Sequence, residues 1–186
     1  KMKGCDAAFL CNPNNPTGRV LKKADAIKIA DASRKLKCYL VVDEAFIDFC
    51  PDESVMTKVQ HNPYLIVLRS LTKFYALSGL RIGYGVFPLN ITETIKKHKE
   101  PWTVNSLAQT AGIAAFKDTA FKKKTFRVIK QEKDFLEKEF KRLEISCIPS
   151  EANYYLLRIT HAKEIISALR NKGILVRDCS NFKGLD

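Results

Sequence analysis

Cys38-Tyr39-Leu40-Val41-Val42-Asp43-Glu44 is a short apolar run that stops at two carboxylates, and its place in the chain decides the fold. Upstream, Ala7 to Cys11 reads as a strand running into an Asn-Pro turn. Between them, Lys22 to Lys37 reads as a helix with Ala26, Ile29, Ala30, Ser33 and Leu36 on one face. Cys38 to Val42 is then the second strand, Tyr64 to Leu68 the third and Arg81 to Val86 the fourth. Strands alternating with helical stretches predict an α/β layer structure with a largely parallel sheet.

Ligands of such sheets collect beyond the carboxyl ends of the strands. The predicted strands put Asn15, Asp43 and Ser70 just past three such ends, so one cleft can receive all three side chains. Lys73 follows in Arg69-Ser70-Leu71-Thr72-Lys73-Phe74, and Arg81 lies eight residues further on. A lysine used as a Schiff-base nucleophile needs a lowered pKa, anion-binding donors for a cofactor phosphate and a carboxylate for a ring nitrogen. Lys73, the hydroxyls of Ser70 and Thr72, the Arg81 guanidinium and Asp43 supply that set. Each also has a plainer reading: a surface lysine and arginine, an aspartate closing a strand, a turn hydroxyl at Thr72, and a turn residue at Asn15 ahead of Pro16.

From Val104 onward the pattern changes. Phe121, Thr125, Val128, Ile129, Glu132, Phe135, Leu136 and Leu143 recur at helical spacing with one polar intrusion. After Pro149 come a predicted strand from Tyr154 to Ile159, a helix from Ala162 to Asn171, Gly173 as its stop and a strand from Ile174 to Arg177. The expected division is residues 1–115 as part of a large domain and residues 116–186 as part of a smaller α+β domain.

At 186 residues, 46% hydrophobic and 28% charged, the chain has the composition of a soluble globular protein. It starts at Lys1 and stops just after a strand-like run, so it reads as an excerpt of a longer protein. The net charge of +12 includes runs at Lys96-Lys97-His98-Lys99 and Lys122-Lys123-Lys124. Both fall in helix-like segments without interleaved aromatic residues, which argues for solvated helix faces over nucleic-acid or membrane partners, and a basic surface also draws in anionic substrates. Six cysteines without a Cys-x-x-Cys pair, mostly in or beside apolar runs, read as buried thiols of a reducing cytoplasm rather than disulfides or a metal site. No apolar stretch approaches membrane-spanning length.

Four motifs in order carry a family resemblance: Asn12-Pro13-Asn14-Asn15-Pro16-Thr17-Gly18, Val41-Val42-Asp43-Glu44-Ala45-Phe46, Ser70-Leu71-Thr72-Lys73 and Gly79-Leu80-Arg81-Ile82-Gly83-Tyr84. Together they resemble the fold type I pyridoxal 5′-phosphate enzymes of the aminotransferase class I/II superfamily. The resemblance implies a PLP-dependent transferase-like large domain and pyridoxal 5′-phosphate as cofactor. It also implies that Lys73 forms the imine with the cofactor aldehyde and later moves protons at the substrate α-carbon. Asp43 would pair with the pyridine nitrogen, Ser70, Thr72 and Arg81 would hold the phosphate, and Asn15 would lie near the 3′-oxygen and the substrate. Burial beside the cofactor ring would lower the Lys73 pKa.

Phe46 departs from the commoner pattern, since many relatives carry a tyrosine there whose hydroxyl bonds the 3′-oxygen. Within the superfamily the chain is similar to the branch of threonine-phosphate decarboxylases, next to the histidinol-phosphate aminotransferases. The strings Asp43-Glu44-Ala45-Phe46-Ile47-Asp48-Phe49, Leu68-Arg69-Ser70-Leu71-Thr72-Lys73-Phe74-Tyr75-Ala76, Pro101-Trp102-Thr103-Val104-Asn105, Ala152-Asn153-Tyr154 and Asn181-Phe182-Lys183-Gly184-Leu185-Asp186 carry that similarity. It implies decarboxylation of O-phospho-L-threonine in cobalamin biosynthesis, with an aminotransferase on a phosphorylated amino acid as the alternative and a non-catalytic binding role as a third. Arg177 resembles an arginine that grips an anionic group of the substrate. Asn153 reads as a core amide at the start of its strand. Full-length relatives are homodimers, and other family elements would precede Lys1 or follow Asp186.

Overall fold

A computed structural model describes residues 2–184; Lys1, Leu185 and Asp186, and with them the end of the 181–186 string, lie outside the described residues. Four strands form the main sheet in chain order: β1 (Ala7–Cys11), β2 (Tyr39–Asp43), β3 (Leu65–Ser70) and β4 (Gly83–Val86). The first three run parallel and β4 pairs antiparallel with β3. The sheet is therefore mixed, with the predicted parallel core. Register levels the strand ends: Cys11 stands opposite Asp43, and Asp43 opposite Leu68.

Helix α1 (Lys23–Leu36) makes the first crossover and covers one sheet face with Ala26, Ala30 and Ser33. These join Leu40, Val42, Val55, Val59, Leu65 and Val67 in the core. Alternate β2 and β3 positions face that core, as the two-residue period of a strand requires. Lys37, at φ 53°, closes α1 in the left-handed region, where its N–H and that of Cys38 satisfy the carbonyls of Arg34 and Ser33. Leu36, placed on the buried face by its spacing, is exposed because the chain has already turned away into this cap.

A second cluster forms where β3 leaves the sheet: Leu71, Phe74 and Tyr75 are buried against Phe49, Ile82, Tyr84 and Phe121. Helices α2 (Leu89–His98), α3 (Ser106–Lys117) and α4 (Thr119–Arg142) follow, the last matching the long periodic stretch. Its inward line is Phe121, Thr125, Ile129, Lys133, Leu136 and Phe140, whereas Glu132, Phe135 and Leu143 are exposed. The first basic run ends α2, and Lys123 and Lys124 are exposed on α4.

Two short strands, β5 (Ser146–Cys147) and β6 (Leu157–Arg158), pair antiparallel ahead of α5 (Ala162–Asn171). The strand expected over 154–159 thus shrinks to two paired residues. The one expected over 174–177 forms no ladder: Ile174, Leu175 and Val176 are exposed, and no described strand lies beside them to accept their backbone groups. Likewise β4 starts at Gly83 rather than Arg81, because Arg81 sits at φ 56° capping a 3-10 turn over Ser78–Leu80. Among the cysteines Cys38 is buried and the other five are exposed or half-buried, which corrects the expectation of buried thiols. No helix among the described residues is long and apolar enough to cross a membrane.

Candidate active site

Lys73 owes its presentation to its neighbours. Leu71, Thr72, Phe74 and Tyr75 are all buried while Lys73 between them is exposed, so the aromatic cluster holds the loop down and pushes the ammonium outward. Phe74 meets Phe49, Tyr75 and Phe126 ring to ring at 5.1 to 5.3 Å, which fixes the residue next to the lysine. Lys73 Nζ stands 5.8 Å from the centre of the Phe46 ring, which brings the end of β3 up to the residues that follow β2.

The hydroxyls of Ser70 and Thr72 are 2.8 Å apart, and the Thr72 N–H donates to Ser70 Oγ at 3.3 Å. Ser70 pairs with Gly83, and Leu71 N–H donates to the Ile82 carbonyl, so the β3–β4 ladder carries the Arg81 backbone alongside these hydroxyls. A Cβ at Gly83 would stand 2.6 Å from the Arg69 carbonyl, which is why the close pairing takes a glycine. The Arg81 side chain is exposed, with one terminal nitrogen donating to the Ser78 carbonyl at 3.1 Å.

Asp43 ends β2 with its side chain exposed, and Oδ1 accepts from the Ala45 N–H at 3.0 Å. The plain strand-end role is thus present, and Oδ2 has no such bond among the described residues. Opposite it, Cys11 ends β1 and donates from Sγ to the Pro13 carbonyl at 3.2 Å. Burial pushes the Cys11 thiol up, a hydrogen bond from the Asn15 backbone pulls it back, and the Asp43 carboxylate raises it again. Asn15 therefore lies beside Cys11 and Asp43 on a loop held by the buried Asn12, whose side chain bonds both backbone groups of Leu21 at 2.7 and 3.0 Å.

Behind this edge lies a buried network that sequence spacing did not single out. Arg69 NH1 donates to Glu44 Oε2 at 2.8 Å and NH2 to Asp48 Oδ1 at 3.0 Å, while Ser54 and the Val55 N–H complete the bonds of Glu44. Glu44 adjoins Asp43 and Arg69 adjoins Ser70, so the ion pairs tie the end of β2 to the end of β3. Arg69 Nε is the one buried side-chain nitrogen or oxygen left without a partner among the described residues. Burial outweighs the nearby guanidinium at Asp48, whose carboxyl is held above its usual range.

Tyr154, expected as the start of a strand, reaches the loop that carries Asn15. Its hydroxyl donates to the Asn14 carbonyl at 2.9 Å, and its ring stands edge-on to Phe46 at 5.0 Å. The neighbouring Asn153 is exposed rather than a core amide. Arg177 is exposed on the 174–177 segment, and no hydrogen bond or ion pair joins it to the other predicted residues. The strand ends thus gather Asn15, Asp43, Ser70, Thr72, Lys73 and the Arg81 backbone.

A parallel-stranded edge carrying a presented lysine, a carboxylate and paired hydroxyls defines an α/β protein with a candidate site at its strand ends. The chain belongs to the aminotransferase class I and II family, which matches residues 3–184. Pyridoxal 5′-phosphate is the cofactor of that family. The chain is 39% identical to the threonine-phosphate decarboxylase of Salmonella typhimurium, over 97% of this chain and 51% of that protein. It is 35% identical to a histidinol-phosphate aminotransferase of Thermoanaerobacter pseudethanolicus, over 96% of this chain and 50% of that protein. Among solved structures, a histidinol-phosphate aminotransferase from Clostridium acetobutylicum superposes with a TM-score of 0.91 at 31% identity, covering 97% of this chain and 56% of that one. The chain spans about half the length of the curated relatives it matches.

Proposed function

We propose that the full-length protein decarboxylates O-phospho-L-threonine to aminopropanol phosphate and carbon dioxide. The observation that carries this reading is the 39% identity to the Salmonella decarboxylase across 97% of the chain. The second reading, a histidinol-phosphate-type aminotransferase, is favoured by the 35% identity and by the fit to the Clostridium structure. Residues 1–115 as part of a cofactor-binding domain, residues 116–186 as part of a smaller one, a cytoplasmic setting and a homodimer belong to the same proposal.

The donor set at the strand ends fits a phosphate-bearing cationic ring. Ser70 and Thr72 offer two hydroxyls 2.8 Å apart, and Arg81 has a guanidinium free to turn from the Ser78 carbonyl toward an anion. Asp43 keeps one carboxylate oxygen for a ring nitrogen, and Asn15 offers an amide at the neighbouring strand end. When bound, pyridoxal 5′-phosphate supplies an electron sink for the pair left on the substrate α-carbon. Lys73 would offer the amine that holds the aldehyde; displaced by the substrate amine and carrying a proton from it, Lys73, or a water, would return a proton to the α-carbon in place of the departed carbon dioxide. The net charge of +12 favours approach of a phosphorylated substrate, and the exposed Arg177 would grip its anionic group.

The test incubates the full-length protein, supplied with pyridoxal 5′-phosphate, with O-phospho-L-threonine and follows carbon dioxide beside keto-product formation. Carbon dioxide without a keto product, lost in Lys73→Ala, is the expected result. A keto product that depends on 2-oxoglutarate would move the protein to the aminotransferases.

A further inference from the structure

The segment 150–154 is fastened to the loop that carries Asn15. The Glu151 N–H donates to the Gly18 carbonyl at 2.8 Å, and the Tyr154 hydroxyl donates to the Asn14 carbonyl at 2.9 Å. Between these bonds the two backbones touch: Gly18 takes a φ of 71°, and a Cβ there would stand 1.9 Å from Ser150 Oγ, so only glycine fits. The Tyr154 ring meets Phe46 edge-on at 5.0 Å, and Phe46 in turn lies 5.8 Å from Lys73 Nζ. One side chain therefore grips the residue before Asn15 with its hydroxyl and the residue beneath Lys73 with its ring.

The far end of this clasp belongs to α4. Lys133 Nζ donates to the Ser150 carbonyl, and the Tyr155 hydroxyl donates to Glu137. Burial, with Cys11 and Asp43 nearby, pushes the Tyr154 phenol up to about 12, so at neutral pH it stays a protonated donor.

We propose that Tyr154 is a positioning residue: its hydroxyl fixes the Asn14–Asn15 peptide and its ring fixes Phe46, coupling the Asn15 loop to Phe46 and so setting the spacing between Asn15 and Lys73. The coupling rests on contacts within this chain, and its consequence for the cofactor rests on the functional reading above. The test compares Tyr154→Phe, which removes one hydroxyl and keeps the ring, with Tyr155→Phe, which removes the neighbouring phenol bonded to Glu137. Three quantities are read in the full-length protein: amide exchange of residues 14–18 without cofactor, the pyridoxal 5′-phosphate dissociation constant, and the pH midpoint of the Lys73-dependent visible absorbance.

Loss of one hydrogen bond predicts about five-fold faster exchange at 14–18 in Tyr154→Phe, with β3 unchanged, and a similar weakening of cofactor affinity with a displaced pH midpoint. Tyr155→Phe should leave all three at wild-type values. Wild-type exchange at 14–18 in Tyr154→Phe overturns the coupling, and faster exchange with unchanged affinity and midpoint overturns the positioning role. Faster exchange in a protein whose wild type shows no Lys73-dependent absorbance supports the coupling and overturns the functional reading.

Discussion

Asp48 is a carboxyl held half in and half out of water, and its titration should be visible in stability. Its folded pKa lies above the ordinary 3.8, chiefly through burial, with Arg69 opposing and Glu44 adding to the rise. Between the unfolded and folded values the native state binds more proton than the unfolded chain, so this group's contribution to stability falls as pH rises through that window. Urea midpoints measured across the window should show the wild type losing stability relative to Asp48→Asn with rising pH, and a flat difference would sink the assignment. Neither Glu44 nor Arg69 announced this network, because their 25-residue separation follows no helical or strand period. A charge at the end of an apolar run was the available signal, and at Asp43 the same signal was read as a site. Tyr154 is harder still, since a bond across 140 residues leaves no mark on local pattern.

At the scale of elements, the apolar runs of β1, β2 and β3 were legible because each ends abruptly at polar residues, and those ends carry Asp43 and Ser70. The run over 174–177 has the same composition and forms no strand. Propensity reports that a segment suits a pleated surface, and says nothing of whether a neighbouring strand is there to receive it. Cap residues are read more directly. Asn105 accepts from the Ala108 N–H at 2.8 Å to start α3, and its amide donates to the Leu80 carbonyl at 3.2 Å, one residue before Arg81. Asn105→Ala should cost about 1 kcal/mol in denaturant-derived stability, the usual loss for a helix N-cap. Asn105→Asp keeps the acceptor and loses the bond to Leu80, so it should recover most of that stability while loosening amide exchange around Arg81.

For the whole molecule, order along the chain becomes order in time. Ala7 pairs with Tyr39 and Leu40 with Leu65, so every parallel ladder waits on the closure of a long crossover, with a helix or 3-10 turns between. Such non-local pairing slows folding, to about milliseconds or seconds for topologies rich in it, whereas helices form in about a microsecond. Asn15, Asp43 and Lys73 stand on three different strand ends, so no early, locally structured species holds them together. In a refolding experiment on the full-length protein, far-ultraviolet ellipticity should recover ahead of the Lys73-dependent absorbance, with cofactor capture marking sheet completion. A nascent chain would then pass through a helical but cofactor-blind stage, in which abundant pyridoxal 5′-phosphate offers the sheet no help in closing.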